Sequence, residues 1–173
     1  VFASGTAAIS TGLLTLLKAG DHIVASSSLY GGTYNLLNVT LPRLGIKTTF
    51  VNADNPENFA AAVQDNTRAF FVESLGNPKL DVLDIEAISA HSKAAGVPFI
   101  VDNTVATPVL LNPLKHGADL VIHSLTKYIG GQGNSIGGAI IDGGTFNWAN
   151  GKFPEFTEPS AVYHALMGLI TLA

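Results

Sequence analysis

Short apolar runs alternate with longer amphipathic stretches along the chain, with glycine and proline residues between them. The apolar runs lack strict alternation, which predicts strands covered on both faces. Strands are predicted at residues 21–25, 46–51, 68–74, 97–101, 120–123 and 136–141. Helices are predicted at residues 5–17, 31–44, 56–63 and 84–95. The alternation of strands and helices predicts an α/β fold, a mostly parallel sheet with helices on both faces.

Polar residues follow three of the predicted strands at the point where each strand ends. Glu73 and Asp102 end two buried strands, Ser124 ends a third, and Lys127 lies just beyond it. In open parallel sheets, ligands bind at the carboxyl ends of the strands. The sequence therefore predicts that these four side chains meet at one edge of the sheet.

Composition narrows the classes of function. The 173 residues are 47% hydrophobic and 13% charged, so the chain is globular, with fewer charges than is usual. This low charge predicts that partner subunits or further chain cover much of the surface. A net charge of −4 gives no electrostatic basis for binding nucleic acid or an anionic membrane. The absence of cysteine excludes disulfides and a cysteine nucleophile.

Neither end of the sequence resembles a natural terminus, so a fragment of a longer chain is expected. No apolar run is long enough for a membrane span, and no signal peptide is recognised, which predicts a cytoplasmic protein. Residues 1–143 are predicted to form the large domain. Residues 144–173 are predicted to lead toward a C-terminal domain outside this sequence, and glycine, proline and aromatic residues at 144–159 predict a long surface segment.

The candidate site has the groups that pyridoxal 5'-phosphate (PLP) requires. Lys127 supplies an amine that can form a reversible imine and move protons. Asp102 supplies a carboxylate that can face the pyridine nitrogen. A buried carboxylate needs a cationic partner to stay ionised, and a protonated pyridine nitrogen would provide one. The helix that begins at Gly5 and Thr6 offers free N–H groups for a phosphate. Tyr30 can stack on a ring.

Five motifs in order resemble the PLP-dependent enzymes of cysteine and methionine metabolism. They are Ser-Gly-Thr-Ala-Ala at 4–8, Leu-Tyr-Gly-Gly-Thr at 29–33, Glu-Ser-Leu-Gly-Asn-Pro at 73–78, Asp-Asn-Thr-Val-Ala-Thr-Pro at 102–108 and His-Ser-Leu-Thr-Lys-Tyr at 123–128. The resemblance covers nearly the whole chain and implies a fold-type-I PLP domain. Residues 130–138 and 146–154 resemble the O-acetylhomoserine sulfhydrylase branch.

The resemblance implies a role for each matching residue. Lys127 would form the imine and Tyr30 would stack on the ring and assist proton transfer, which makes these two the expected catalytic residues. Asp102 would face the pyridine nitrogen. Phosphate contacts are expected from Gly5, Thr6, Ser124 and Thr126, and positions near the ring from Asn77 and Thr104. Thr6 replaces a methionine common in the family, and a backbone contact would survive that change.

The resemblance also implies the reaction and the assembly. The expected reaction is γ-replacement, in which sulfide or a thiol replaces the acetate of O-acetylhomoserine to give homocysteine or methionine. The family binds the substrate carboxylate through an arginine of its C-terminal domain and borrows an arginine and a tyrosine from a neighbouring subunit. Arg43 and Arg68 do not follow strands, so this chain alone is expected to be inactive. A homotetramer built from dimers is expected.

Other interpretations remain open from the sequence. A γ-lyase or cystathionine γ-synthase of the same family would share the motifs. A nucleotide-binding α/β domain is a second alternative, although the glycines at 130–138 do not have dinucleotide-binding spacing. A non-catalytic scaffold is a third. Glu73 is equally compatible with supporting the site and with an ordinary ion pair.

The histidine residues do not predict a metal site. Surface positions are expected for His22, His91, His116 and His164. His123 is expected to pack in the core, because no second histidine or carboxylate stands at metal-ligand spacing.

Overall fold

The computed structural model describes residues 1–159, in which six strands form one sheet. The strands are β1 (His22–Ser26), β2 (Lys47–Val51), β3 (Thr67–Glu73), β4 (Phe99–Asp102), β5 (Leu120–Ser124) and β6 (Gly138–Asp142). Their order across the sheet is β2-β1-β3-β4-β5-β6. Neighbouring strands are parallel except β5 and β6, which are antiparallel. The predicted α/β class with a mostly parallel sheet is confirmed.

The sheet is covered on both faces, as the continuous apolar runs predicted. The helices are α1 (Gly5–Leu16), α2 (Gly31–Asn35), α3 (Leu41–Arg43), α4 (Glu57–Ala61), α5 (Ile85–Ala95) and α6 (Thr107–Leu110). Phe71 and Ile100 belong to the hydrophobic cluster that contains α1, whereas Phe70 and Val101 belong to the cluster that contains α5. Adjacent residues of each strand therefore serve opposite faces of the sheet.

The two long helices begin and end as their sequences predict. The Ser4 hydroxyl accepts the Ala7 N–H at 3.0 Å and caps α1, and Oδ1 of Asp84 accepts the Ala87 N–H at 3.0 Å and caps α5. Gly96 ends α5 in the left-handed conformation, with φ of 64°, which glycine adopts without a steric penalty.

The single helix predicted at residues 31–44 is interrupted. A π-helical turn, Leu36–Thr40, separates α2 from α3. Pro42 lies at the start of α3 and has no N–H to donate to the preceding turn, so the regular hydrogen-bond ladder is not maintained there. The prediction also missed α6 and the two 3-10 turns, Pro113–His116 and Pro154–Phe156, because elements of three or four residues carry little periodicity.

Residues 144–159 pack against the domain, so the expected surface segment is wrong for its aromatic part. Phe153 and Phe156 are buried, and Trp148 packs on the cluster that contains α1. Asn150 and Lys152 donate to the carbonyl groups at the end of α5, each at 2.9 Å. This segment therefore crosses the amino ends of the strands and closes that side of the core.

His22 is also placed differently from the expectation. It is buried in β1, where Nδ1 lies 2.9 Å from the Thr67 hydroxyl and Nε2 lies 2.8 Å from the Thr49 hydroxyl. The polar neighbours satisfy both ring nitrogens, so a histidine fits in a strand interior. His123 is buried in β5, as predicted, and His164 lies outside the described residues. Within residues 1–159, no helix is long and apolar enough to cross a bilayer.

Candidate active site

The strand ends bring the predicted residues to one cavity of about 440 Å³ at the carboxyl edge of the sheet. The residues predicted for the site that line this cavity are Gly5, Thr6, Tyr30, Asn77, Asp102, Thr104, Ser124, Thr126 and Lys127. They come from five separate parts of the chain. The expectation that strand-end residues converge on one edge is met in the structure.

Asp102 lies at the end of β4 and only 8% of it is exposed. Its Oδ1 accepts the N–H of Thr104 at 3.0 Å and the hydroxyl of Thr104 at 2.5 Å. Burial raises the pKa of Asp102, and the two hydrogen bonds from Thr104 oppose that rise. Both bonds go to Oδ1, so Oδ2 has its lone pairs available for a further partner.

Thr104 joins Asp102 to the strand that precedes Lys127. Its hydroxyl oxygen donates to Asp102 and accepts the Ser124 N–H at 2.8 Å. These two hydrogen bonds link the end of β4 to the end of β5. The sequence placed Thr104 near the ring but gave no signal for this structural connection.

The start of α1 lies against Ser124. A Cβ atom built on Gly5 would lie 2.5 Å from Cβ of Ser124, so only glycine permits this approach. The N–H groups of Gly5 and Thr6 belong to the first helical turn, in which they have no carbonyl acceptor within the helix. Their dipole and the Ser124 hydroxyl form a cup suited to a phosphate dianion.

Lys127 lies in a tight turn just after β5 and is exposed at the cavity rim. A Cβ atom on Gly130 would lie 2.7 Å from the Leu125 carbonyl oxygen, so glycine is needed to close this turn. The Thr126 hydroxyl lies 3.1 Å from the N–H of Gly137 and 3.3 Å from its carbonyl oxygen. Thr126 therefore anchors the lysine turn as well as lining the cavity.

Tyr30 and Asn77 also line the cavity. Tyr30 precedes α2 and is 51% exposed. Asn77 lies in the loop after β3, where Gly76 packs closely against the side chains of Asp81 and Ser28. The Ser28 hydroxyl donates to Oδ1 of Asp81 at 2.7 Å and holds this loop against β1.

Some lining residues were not predicted as parts of the site. Leu80, Val105 and Tyr128 add apolar and aromatic surface to the cavity. All three lie in loops. Val105 and Tyr128 fall within the motifs at 102–108 and 123–128, but their residue types predicted no role at the site. Arg68 lies at the start of β3, 3.6 Å from Asp21, which agrees with the expectation that it is remote from the site.

A larger cavity of about 850 Å³ lies beside α5, at the amino ends of the strands. Asp119 lines it, but Oδ2 of Asp119 accepts the Phe99 N–H at 2.9 Å and Oδ1 accepts the Thr145 hydroxyl at 3.2 Å. Both carboxylate oxygens of Asp119 are therefore engaged in hydrogen bonds within the domain. Because ligands of parallel sheets bind at the carboxyl ends, the cavity that contains Lys127 is the candidate active site.

The sheet topology and this cavity define an α/β domain with a candidate cofactor site at its strand ends. The family model of the Cys/Met metabolism PLP-dependent enzymes matches residues 1–173. The chain belongs to this family of PLP-dependent enzymes. The resemblance found in the five sequence motifs is thus confirmed.

Similarity to individual proteins supports the same family. The chain is 63% identical to O-acetyl-L-homoserine sulfhydrylase of Leptospira meyeri over 95% of its own length and 37% of the relative. It is 54% identical to homocysteine synthase of Schizosaccharomyces pombe over 95% of its length and 39% of that protein. The chain therefore spans well under half of these relatives.

A solved structure gives the same picture for the fold. An O-acetylhomoserine (thiol)-lyase of Campylobacter jejuni superposes with a TM-score of 0.93 and 40% identity, over 96% of this chain and 42% of that one. That structure contains N'-pyridoxyl-lysine-5'-monophosphate. The fold-type-I expectation for this chain is confirmed.

Proposed function

We propose that the cavity binds PLP, with Lys127 as the lysine that holds its aldehyde carbon. The observation that carries this proposal is the convergence of Lys127, Asp102 and the start of α1 on one cavity. Asp102 is buried, and none of the four ion pairs formed within residues 1–159 includes it. A protonated pyridine nitrogen is the partner that would stabilise this carboxylate.

The remaining site residues receive the following roles. Gly5, Thr6, Ser124 and Thr126 hold the phosphate through N–H and hydroxyl groups. Tyr30 lies on the ring face and assists proton transfer, with Asn77 and Thr104 beside the ring. When bound, the cofactor supplies an electron sink for the negative charge that develops on the substrate's α-carbon. Nζ of Lys127 removes and returns the protons of the substrate carbons.

The proposed reaction of the whole protein is γ-replacement on O-acetylhomoserine. The C–O bond to acetate breaks, and a C–S bond to sulfide or a thiol forms, giving homocysteine or methionine. The similarity to the sulfhydrylase of L. meyeri and to the homocysteine synthase of S. pombe supports this substrate class. No redox partner is required, because the leaving acetate carries away the electron pair of the broken bond.

The whole protein is proposed to be a cytoplasmic homotetramer built from dimers. Residues 1–143 form the cofactor-binding domain, and residues 144–173 lead toward a C-terminal domain. Within residues 1–159, Arg68 pairs with Asp21 at the opposite end of the strands and Arg43 ends α3. Neither arginine lines the cavity as a clamp for a substrate carboxylate. We expect the clamp arginine to come from outside this chain, and we expect the isolated chain to have no appreciable turnover.

The test compares the full-length protein supplied with O-acetylhomoserine and sulfide against the same protein supplied with methionine or cystathionine alone. Homocysteine and acetate should be the main products. Ammonia and 2-oxobutyrate as main products would contradict the sulfhydrylase assignment in favour of a γ-lyase. The cofactor's visible absorption should disappear in Lys127→Ala, and a colourless protein that binds NAD would overturn the cofactor assignment.

A further inference from the structure

Glu73 and Asp102 are directly paired residues at the ends of β3 and β4. They lie two positions beyond Phe71 and Ile100, which face the cluster that contains α1, so both carboxyl groups project from that same face. Both are buried, with only 6% of Glu73 exposed. None of the ion pairs within residues 1–159 includes Glu73. Two carboxyl groups are therefore adjacent at the wall of the candidate site.

The surroundings of Glu73 and Asp102 stabilise the ionised carboxylate to different extents. Burial raises the pKa of Glu73 to about 8, the N–H of Tyr30 opposes the rise, and the charges of Asp102 and Asp81 add to it. Asp102 accepts two hydrogen bonds from Thr104, whereas Glu73 accepts a single backbone N–H. Burial disfavours the charged form of both groups, and the charge of Asp102 further disfavours ionisation of its neighbour Glu73. The two hydrogen bonds from Thr104 stabilise the charged form of Asp102 more than the single bond stabilises that of Glu73. The proton is therefore expected on Glu73.

Glu73 also fixes the main chain of Tyr30. Its Oε1 accepts the Tyr30 N–H at 2.7 Å, at the point where the chain enters α2. A Cβ atom on Gly32 would lie 2.5 Å from Cε1 of Tyr30, so the ring packs closely over the Gly32 backbone. Two contacts therefore position Tyr30. Glu73 accepts a hydrogen bond from its main-chain N–H, and its ring packs against the backbone of Gly32.

We propose that Glu73 is a positioning residue of this site: as a neutral carboxylic acid it holds Tyr30 in place and leaves Asp102 as the only charged carboxylate beside a bound cationic ring. The inference rests on the proposed cofactor site. A neutral Glu73 keeps the hydrogen bond to Tyr30, because its carbonyl oxygen accepts as a carboxylate oxygen does. It also adds no second negative charge to the cavity that Asp102 lines.

The inference predicts a change at alkaline pH. The charged groups that act on Glu73 are Asp102 on β4 and Asp81 on the loop after β3, and Tyr30 and Lys127 line the same cavity. Above about pH 8 Glu73 loses its proton and the site gains a negative charge. The affinity for PLP should then fall more steeply with pH in the parent protein than in Glu73→Gln, which cannot ionise.

The experiment uses the full-length protein and three variants: Glu73→Gln, Glu73→Ala and, as a control acid outside the site, Glu57→Gln. The first readout is the infrared spectrum of the cofactor-free protein. A protonated carboxylic-acid C=O band should be present at pH 7 and titrate near pH 8 in the parent and in Glu57→Gln, and it should be absent in both Glu73→Gln and Glu73→Ala. The second readout is turnover, which should fall ~10–100-fold in Glu73→Ala through displacement of Tyr30 and be largely restored in Glu73→Gln.

Each outcome decides the inference. A parent spectrum identical to that of Glu73→Gln at pH 7 means that Glu73 is ionised, which overturns the proposal. Equal losses of turnover in Glu73→Gln and Glu73→Ala mean that the charge matters and the neutral hydrogen bond does not, which also overturns it. The infrared readout needs no cofactor, so a failure of PLP to bind would refute the proposed function without altering this test.

Discussion

The hydroxyl group of Thr104 donates a 2.5 Å hydrogen bond to Oδ1 of Asp102, and the main-chain N–H of Thr104 donates a second bond to the same oxygen. Both donors come from a residue two positions along the chain, so the carboxylate is oriented by its own loop. Since the Thr104 oxygen also accepts the Ser124 N–H, the orientation of Asp102 is coupled to the end of β5. Mutations at Thr104 should therefore affect the cofactor at two points.

Replacing Thr104 by valine should weaken PLP binding and lower kcat/KM by roughly 10–100-fold. Valine has a similar volume but no hydroxyl, and a hydrogen bond to a charged group is worth about 1.5–3 kcal/mol. Thr104→Ser keeps the hydroxyl and serves as the matched control. Equilibrium titration with PLP measures the affinity, and equal affinities for the valine and serine variants would contradict the role assigned to the hydroxyl.

Replacing Asp102 by asparagine should lower turnover but raise the stability of the cofactor-free protein. Turnover should fall by about 100-fold or more, since the amide cannot stabilise a protonated ring nitrogen as a charged hydrogen-bond partner does. The cofactor-free protein should become more stable by about 0.5–2 kcal/mol at pH 8, because a buried carboxylate is removed. Chemical denaturation of parent and variant checks this, and a variant that loses both stability and turnover would indicate a purely structural aspartate.

Replacing Gly5 by alanine should push α1 away from β5. The new Cβ atom would lie 2.5 Å from Cβ of Ser124, and neither backbone can yield easily. We expect a loss of about 1–3 kcal/mol of stability and a weaker affinity for inorganic phosphate and PLP. Gly12→Ala on the same helix is the control, because its Cβ would meet only the end of the Ile140 side chain. Matching phosphate affinities in the two variants would argue against the proposed phosphate cup.

Replacing His22 by glutamine should make the stability less sensitive to acid. Burial lowers the pKa of His22, so the folded protein resists protonating it while the unfolded chain binds a proton below about pH 6.5. Stability from this residue is therefore present at neutral pH and lost as the pH falls. The slope contributed is at most about 1.4 kcal/mol per pH unit.

Denaturation midpoints of the full-length protein between pH 7 and pH 5 would measure this effect. The exposed His116→Gln variant is the control and should not flatten the profile. A parent and a His22→Gln variant with parallel profiles would mean that His22 becomes protonated in the folded state.

Much of the fold follows from the sequence because its strands are buried on both faces. Runs such as Phe70–Phe71 and Ile100–Val101 are continuous and apolar, and Gly96 marks a helix end through its conformational freedom. The π-helical turn before Pro42 was not predicted, since the hydrophobic pattern of residues 31–44 is compatible with a regular helix. The burial of Phe153 was missed as well, because contacts between distant parts of the chain leave no local periodicity.

The convergence of Asp102, Ser124 and Lys127 on one cavity was predictable because polar residues follow the ends of parallel strands. The positions of Tyr30 and Asn77 were expected only from the family resemblance. The hydrogen bonds between the site residues were not predictable. Thr104 to Ser124 and Glu73 to Tyr30 join residues far apart in sequence, and their existence depends on how β3, β4 and β5 are ordered in the sheet. The sequence left Glu73 undecided between an ion pair and a supporting role, and the structure shows a hydrogen bond to backbone in place of an ion pair.

The contact between Gly5 and Ser124 also bears on how the protein folds. It joins the first helix to the fifth strand, so the phosphate cup does not exist until the intervening strands have taken their places. Parallel sheets with such sequence-distant contacts fold slowly. A ligand that binds only to the finished cup stabilises the native state alone. Cofactor capture would then report that folding is complete, and supplying PLP during refolding should increase the final yield.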